Sequence, residues 1–142
     1  RVTGANKRPY WQQGNPDFDK TTAKSRREAL KQDTCVKTQL QRFWRLYRKD
    51  ADGMVSKEEY LHAHTKFALV LIPDITPEEA REAGEEDWAE DAAGAARMSM
   101  SQLYDCLFQL ADMYTTDIDG AAYAMWLSRL FQRVTVKTVV LP

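Results

Sequence analysis

The chain has 142 residues, a net charge of −1 and 44% hydrophobic residues, which fits one domain or a small core with ordered arms. Its longest apolar run covers residues 67–72, far fewer than the roughly 20 residues of a membrane-spanning helix, so we expect no membrane insertion. The cysteines, Cys35 and Cys106, are far apart and form no CxxC pair. We expect both to be free thiols, with Cys106 in the core.

Charge is distributed unevenly along the chain. Residues 1–34 carry eight Lys or Arg against four Asp or Glu, a net charge of +4, and residues 35–142 have a net charge of −5. The strongest acidic run, residues 74–91, holds nine acids and the single base Arg81. Such a run indicates a solvated helix face or, alternatively, a docking face for a basic partner.

Residues 1–34 are predicted to form an extended basic arm with one short helix. Residues 1–20 contain two prolines and two glycines, which exclude a regular helix, and also Tyr10 and Trp11. Aromatic residues are unusual in a segment without a core of its own, so we expect Tyr10 and Trp11 to contact another protein. Residues 22–33 are predicted to form the short helix.

Residues 35–133 are predicted to form the helical domain. Helices are expected at 35–47, at 56–71 and at 77–90, followed by one that carries Leu103 and a last one capped by Asp119. The pairs with the spacing of a capping box are Ser56 with Glu59, Thr76 with Glu79, and Ser99 with Gln102.

The remaining residues, 134–142, are β-branched and apolar, a composition typical of an extended strand. No second strand-like segment lies nearby in sequence to pair with them. We therefore expect this segment to bind another protein through Val136, Val139 and Val140, by strand addition or in a groove. The alternative is that it folds back onto its own helices.

Residues 48–59, RKDADGMVSKEE, match the calcium-loop pattern D-x-[DN]-x-[DN]-G-x5-E in one register. Such a loop surrounds a hard cation with carboxylate oxygens, a backbone carbonyl and a closing bidentate Glu, and its glycine allows a sharp turn. The glycine here is Gly53. The residues at the metal-ligand positions are Asp50, Asp52, Met54 through its carbonyl, Ser56 and Glu59.

The loop departs from the pattern at its first position, where Arg48 replaces the expected Asp. This change removes a ligand and adds a positive charge that repels a divalent cation. We therefore expect a vestigial, unoccupied site that binds calcium at most weakly, and we expect no other cofactor. Asp50 and Asp52 then serve as turn residues and Glu59 as a capping residue.

Residues 47–60 closely resemble the loops of calmodulin-like EF-hand proteins, within a resemblance that covers residues 36–131 at most. It implies an all-α fold of EF-hand-like helix–loop–helix pairs, in which two loops are bridged through their eighth residues. The predicted partner of Val55 is Met98, in a second loop that begins at Asp91 and has alanines at its third and fifth positions. A third helix–loop–helix, at 103–131, also lacks the closing acid.

The stretch that includes QLADMYTTDID and YAMWLSRLF also resembles EF-hand proteins of cilia and flagella. This resemblance implies a structural subunit of an axonemal microtubule assembly, with protein partners that could include tubulin, whose acidic surface suits the basic arm. The alternatives are a calcium sensor with one weak site, in the cytoplasm, or an accessory subunit of a mitochondrial complex. A first residue other than Met and the basic start suit the mitochondrial alternative.

Other kinds of site lack support in the sequence. His62 and His64 project about 200° apart on a helix and so do not share a metal. The chain has no HExxH, no GxSxG and no phosphate-binding glycine loop, so we expect no enzyme activity. The basic residues at 24–31 could touch nucleic acid, but the acidic balance of the rest argues against a nucleic-acid partner.

Overall fold

The computed structural model describes residues 20–135, with side chains from residue 25 onward, and this part of the chain is almost entirely helical. The predicted all-α class is confirmed. Its elements in chain order are α1 (Lys20–Leu30), α2 (Thr34–Leu46), β1 (Val55–Ser56), α3 (Lys57–Leu71), α4 (Pro77–Asp91), β2 (Arg97–Met98), α5 (Met100–Tyr114) and α6 (Gly120–Val134). None of these helices is long and apolar enough to cross a membrane.

Local capping residues start most of these helices. Complete capping boxes begin α4 and α5, as the sequence predicted, and Asp119 caps α6 by accepting from the backbone N–H of Ala122. At α3 the prediction is only half right. The Ser56 hydroxyl accepts from the N–H of Glu59 at 3.1 Å, but the Glu59 carboxylate bonds elsewhere, because it closes the preceding loop.

The four helices α2 to α5 form two helix–loop–helix units, α2–β1–α3 and α4–β2–α5, joined by the two short strands. β1 and β2 pair antiparallel with Val55 opposite Met98, which confirms the predicted register. Both side chains are fully buried. The pairing also sets Ser56 opposite Arg97 and so brings the second loop (residues 91–102) beside the first loop (residues 48–59).

The last helix, α6, packs mainly against α2, whereas α4 packs mainly against α3. Phe43 of α2 contacts Phe67 of α3 and Phe131 of α6 edge-on, with ring centroids 5.8 and 5.3 Å apart. Such edge-to-face pairs add to the energy of apolar burial. The aromatic cluster therefore joins α6 to the paired units in one core.

An ion pair fastens α1 to this core. Arg27 Nε lies 2.9 Å from Asp112 Oδ2 on α5, and the Tyr123 hydroxyl of α6 donates to the other oxygen of Asp112. Burial raises the pKa of the Asp112 carboxyl, and the Tyr123 hydroxyl and the Arg27 charge act in the opposite direction. One buried carboxylate thus links three helices.

The predictions for the two ends have different outcomes. Residue 134, predicted to begin an extended segment, is helical instead, because α6 continues through Val134, which packs partly buried against the core. The predicted partner-binding residues Tyr10, Trp11, Val136, Val139 and Val140 lie outside the described residues, so their roles stay predictions. Cys106 is buried, as expected, and Cys35 is exposed, and the two form no disulfide bond.

Candidate functional site

The first loop folds tightly around the Asp50 side chain. Asp50 Oδ1 accepts from the backbone N–H groups of Asp52 at 2.9 Å and Met54 at 3.1 Å. The backbone N–H of Asp50 donates to the Met54 carbonyl, and Gly53 makes the turn with φ +77. A positive φ favours glycine because it lacks Cβ. The loop therefore holds the turn that the calcium-loop pattern predicts.

A guanidinium group occupies the acidic face of this loop. Arg97 Nη1 lies 2.9 Å from Asp50 Oδ2 and 2.8 Å from Asp52 Oδ2, so one nitrogen bridges the two carboxylates. Hydrogen bonds from the Met54 backbone and from Arg97 hold the pKa of the Asp50 carboxyl below its usual value. Hydrogen bonds to Asp52 and Asp50 raise the pKa of Arg97. A cation of the protein itself therefore offsets one of the two negative charges at these predicted ligand positions.

The residues at the twelfth positions contact the backbone near the start of their own loops. Glu59 Oε2 accepts from the backbone N–H of Arg48 at 2.9 Å and so ties the end of the first loop to its start. In the second loop, Gln102 Nε2 lies 3.5 Å from the carbonyl oxygen of Ala92. Protein hydrogen bonds thus hold both loops in the places where a bidentate ligand would bind a cation.

The side chains at the predicted ligand positions have hydrogen-bond or ion-pair partners within the protein. Within residues 20–135 no group of three or more His, Cys, Asp or Glu side chains could hold a metal ion. The Ser56 hydroxyl serves α3 as its N-cap. Arg97, which was not predicted as a site residue, adds a second positive charge at this loop besides Arg48, because it pairs with Asp50 and Asp52.

A buried polar chain connects the flanks of the two loops. Burial raises the pKa of the Tyr47 hydroxyl and lowers the pKa of His64 to about 3, so both groups stay neutral at pH 7. The Tyr47 hydroxyl and His64 Nε2 are 3.0 Å apart, which fits donation from the hydroxyl to the imidazole lone pair. The His64 ring stacks on Tyr60 at 3.8 Å, and the Tyr60 hydroxyl donates to Asp91 Oδ2 at 2.9 Å.

The geometry of this polar chain indicates a structural role. Tyr47 precedes the first loop and Asp91 begins the second, so the contacts hold the two loops in place from inside the core. His64 is only 1% exposed, and its partner is the phenol of Tyr47, so it has no access to a substrate. The exposed His62 lies outside this chain of contacts. The two histidines therefore point to different environments, as predicted, but the role of His64 was not predicted.

Arg97 was also not predicted to be part of the site. The available signal was its place at the seventh position of the second loop, directly before Met98. Because Met98 was already paired with Val55, an arginine beside it could have been placed next to the first loop. The direction of its side chain, however, depends on the twist of the two-residue strands, and no sequence pattern encodes that direction.

Comparisons with known proteins add no further information about the site. No family model matches the chain, no curated protein matches it, and no solved structure matches it.

Proposed function

We propose that this chain is a non-catalytic structural subunit of EF-hand type, in which an internal arginine replaces the calcium ion. The observation that carries the proposal is the bridge from Arg97 to Asp50 and Asp52. A calcium switch needs free carboxylates that gain from binding a cation. Here the two carboxylates already have a cationic partner, so a helix pair of constant shape suits a scaffold in a larger protein assembly.

The assembly that we propose is an axonemal microtubule structure of cilia or flagella, in keeping with the resemblance described for the sequence. Protein contacts in such an assembly would involve the two arms, and the basic N-terminal arm would suit an acidic surface such as that of tubulin. The arms contain the residues predicted to bind partners, whereas the helical domain supplies their rigid support.

The proposal is tested by isothermal titration of calcium at physiological salt. The unchanged chain should show no saturable binding below millimolar calcium. Arg97→Gln frees two carboxylates, and the double variant Arg48→Asp with Arg97→Gln also restores the first ligand. We expect the double variant to bind with a Kd of about 10⁻⁴–10⁻³ M, the range of weak calcium loops.

The control is Arg81→Gln, which removes one charge from an exposed position on α4. It should leave calcium binding unchanged. Micromolar binding by the unchanged chain would favour the calcium-sensor alternative. A double variant that binds no better than the unchanged chain would mean that Arg97 does not stand in for the ion.

A further inference from the structure

A small pocket opens where the C-terminal ends of α2 and α6 meet α3. Its volume is about 180 Å³. Leu46 at its edge is 45% exposed, so its side chain is accessible to a partner. The apolar walls of the pocket are Leu46, Tyr47, Ala63, Phe67 and Val134.

The size of the pocket limits what it can hold. Sites for free small molecules usually enclose about 300–1,000 Å³, more than this pocket offers. A cavity of about 150 Å³ can hold a benzene molecule. A pocket of about 180 Å³ therefore fits one bulky side chain, such as Phe or Leu, and is too small for a lipid chain or a nucleotide.

The rim of the pocket is basic. Arg48 and Lys66 line it and are exposed, and within the described part of the chain no ion pair involves either side chain. The rim has one carboxylate, Glu59, which already accepts the Arg48 N–H. The surrounding helices add to this charge, because α2 and α6 together carry five Lys or Arg and no acid.

We propose that this pocket binds an acidic peptide segment of a partner protein, which inserts one bulky apolar side chain. The apolar side chain would fill the space between Leu46 and Phe67, and carboxylates on either side of it would meet Arg48 and Lys66. Buried apolar anchors supply most of the affinity at such sites, and exposed charges set the preference for a partner. The inference rests on the proposed function, since it names the chemistry of the partner in the assembly.

The test is fluorescence anisotropy on the full chain with a labelled peptide, Glu-Glu-Phe-Glu-Glu. Two matched peptides separate the contributions: Glu-Glu-Ala-Glu-Glu lacks the anchor, and Lys-Lys-Phe-Lys-Lys reverses the charge. We expect saturable binding of the first peptide and binding at least about tenfold weaker for the other two. No saturable binding of the first peptide, or equal binding of all three, would overturn the proposal.

Variants of the chain locate the binding. Ala63→Trp fills the pocket, and Lys66→Glu reverses one rim charge at an exposed position where the fold tolerates it. Each should weaken binding by about tenfold or more. The control Lys37→Glu makes the same charge change at an exposed position on a different helix, α2. It should alter binding less than about twofold. Circular dichroism checks that each variant is folded.

Two results with the variants would overturn the proposal that the peptide binds in this pocket. Binding that survives both Ala63→Trp and Lys66→Glu would lie elsewhere on the surface. An equal loss from Lys37→Glu and Lys66→Glu would mean only a general attraction between charges. Neither result affects the calcium titration, so failure of the pocket and failure of the proposed function can be told apart.

Discussion

Arg97 shows that one side chain from outside a loop can pair with the residues at the predicted metal-ligand positions of that loop. Its contacts are exposed, with Arg97 at 43% and Asp52 at 71% side-chain exposure, so solvent and salt screen them. Their main consequence is therefore for binding and not for stability. Arg97 offsets one of the two negative charges of Asp50 and Asp52, so the pair attracts a divalent cation less strongly.

His64, in contrast to Arg97, is buried and affects stability, because its imidazole must remain neutral in the folded protein. Its pKa of about 3 lies below the value of about 6.5 expected in the unfolded chain. Between these two values the unfolded chain binds the additional proton. The contribution of neutral His64 to the free energy of unfolding is therefore complete above about pH 6.5 and is lost as the pH falls towards 3.

We predict that the free energy of unfolding falls on acidification from pH 6.5 to 5, by up to about 1.4 kcal/mol per pH unit from His64 alone. Urea unfolding followed by circular dichroism measures this slope. The variant His64→Gln keeps a partner for the Tyr47 hydroxyl but does not titrate, so it should lose most of the slope.

The control for this measurement is His62→Gln at the exposed neighbouring histidine, which should keep the slope of the unchanged chain. Carboxyl groups with lowered pKa values, such as Asp50 and Glu79, act only at more acidic pH and fall outside this range. A slope in His64→Gln equal to that of the unchanged chain would show that His64 is not buried in its neutral form.

The helices depend on one another at their ends, as the contact between α2 and α6 shows. Asp33 caps α2 by accepting from the N–H groups of Cys35 at 2.9 Å and Val36 at 3.1 Å. The same carboxylate lies against Gly120, the first residue of α6. A Cβ at Gly120 would lie 2.7 Å from Asp33 Cγ and 3.0 Å from Oδ1, closer than atoms normally approach.

We predict that Gly120→Ala destabilises the domain by about 0.5–2 kcal/mol, because the new methyl group displaces the Asp33 carboxylate from its capping position. The midpoint of urea unfolding measures this change. The expected sign is unusual, because Gly→Ala at a helix position normally stabilises by about 0.4–1 kcal/mol.

A double-mutant cycle with Asp33→Ala supplies the control. In that background both the cap and the steric conflict are gone, so Gly120→Ala should be neutral or stabilising. An equal cost in both backgrounds would mean that the methyl group meets something other than Asp33.

The whole molecule is polarised in charge. Helix α4 carries eight acids and one base and packs mainly on α3, whereas the basic helices α2 and α6 pack together. The separation follows from the packing, because α3 contacts both α4 and α6. Two surfaces of opposite sign suit a subunit that meets more than one neighbour.

We predict that removing residues 1–19 or 136–142 leaves the helical domain folded but prevents its incorporation into the native assembly. The described residues, 20–135, contain a continuous buried core and the N-caps of α2 to α6. Thermal unfolding by circular dichroism should stay cooperative and shift by less than about 4 °C. Co-purification from the source cells measures incorporation.

Residues 134 and 135 stay in both truncated forms, because Val134 packs against the core. Normal incorporation of both truncated forms would contradict a fastening role for the arms. The acidic helix α4 would then be the next candidate for the contact with the assembly.

The sequence by itself determined the helices, the capping boxes of α4 and α5, the cap at Asp119 and the pairing of Val55 with Met98. These features depend on residues three or four apart, or on the eighth position of each loop, and backbone hydrogen bonding repeats such spacings wherever they occur. Burial follows the helical period, because Val36, Leu40 and Phe43, spaced four and three residues apart, all lie in the core.

Only the tertiary structure decided which side chains meet across the fold. Arg97 reaches Asp50 and Asp52 at separations of 47 and 45 residues, and Arg27 reaches Asp112 from another helix. Such contacts depend on how whole helices and strands are oriented, to within the length of one hydrogen bond. The sequence pattern predicted a damaged calcium loop at residues 48–59. Only the pairing of β1 with β2 brought Arg97 of the second loop within bonding distance of Asp50 and Asp52.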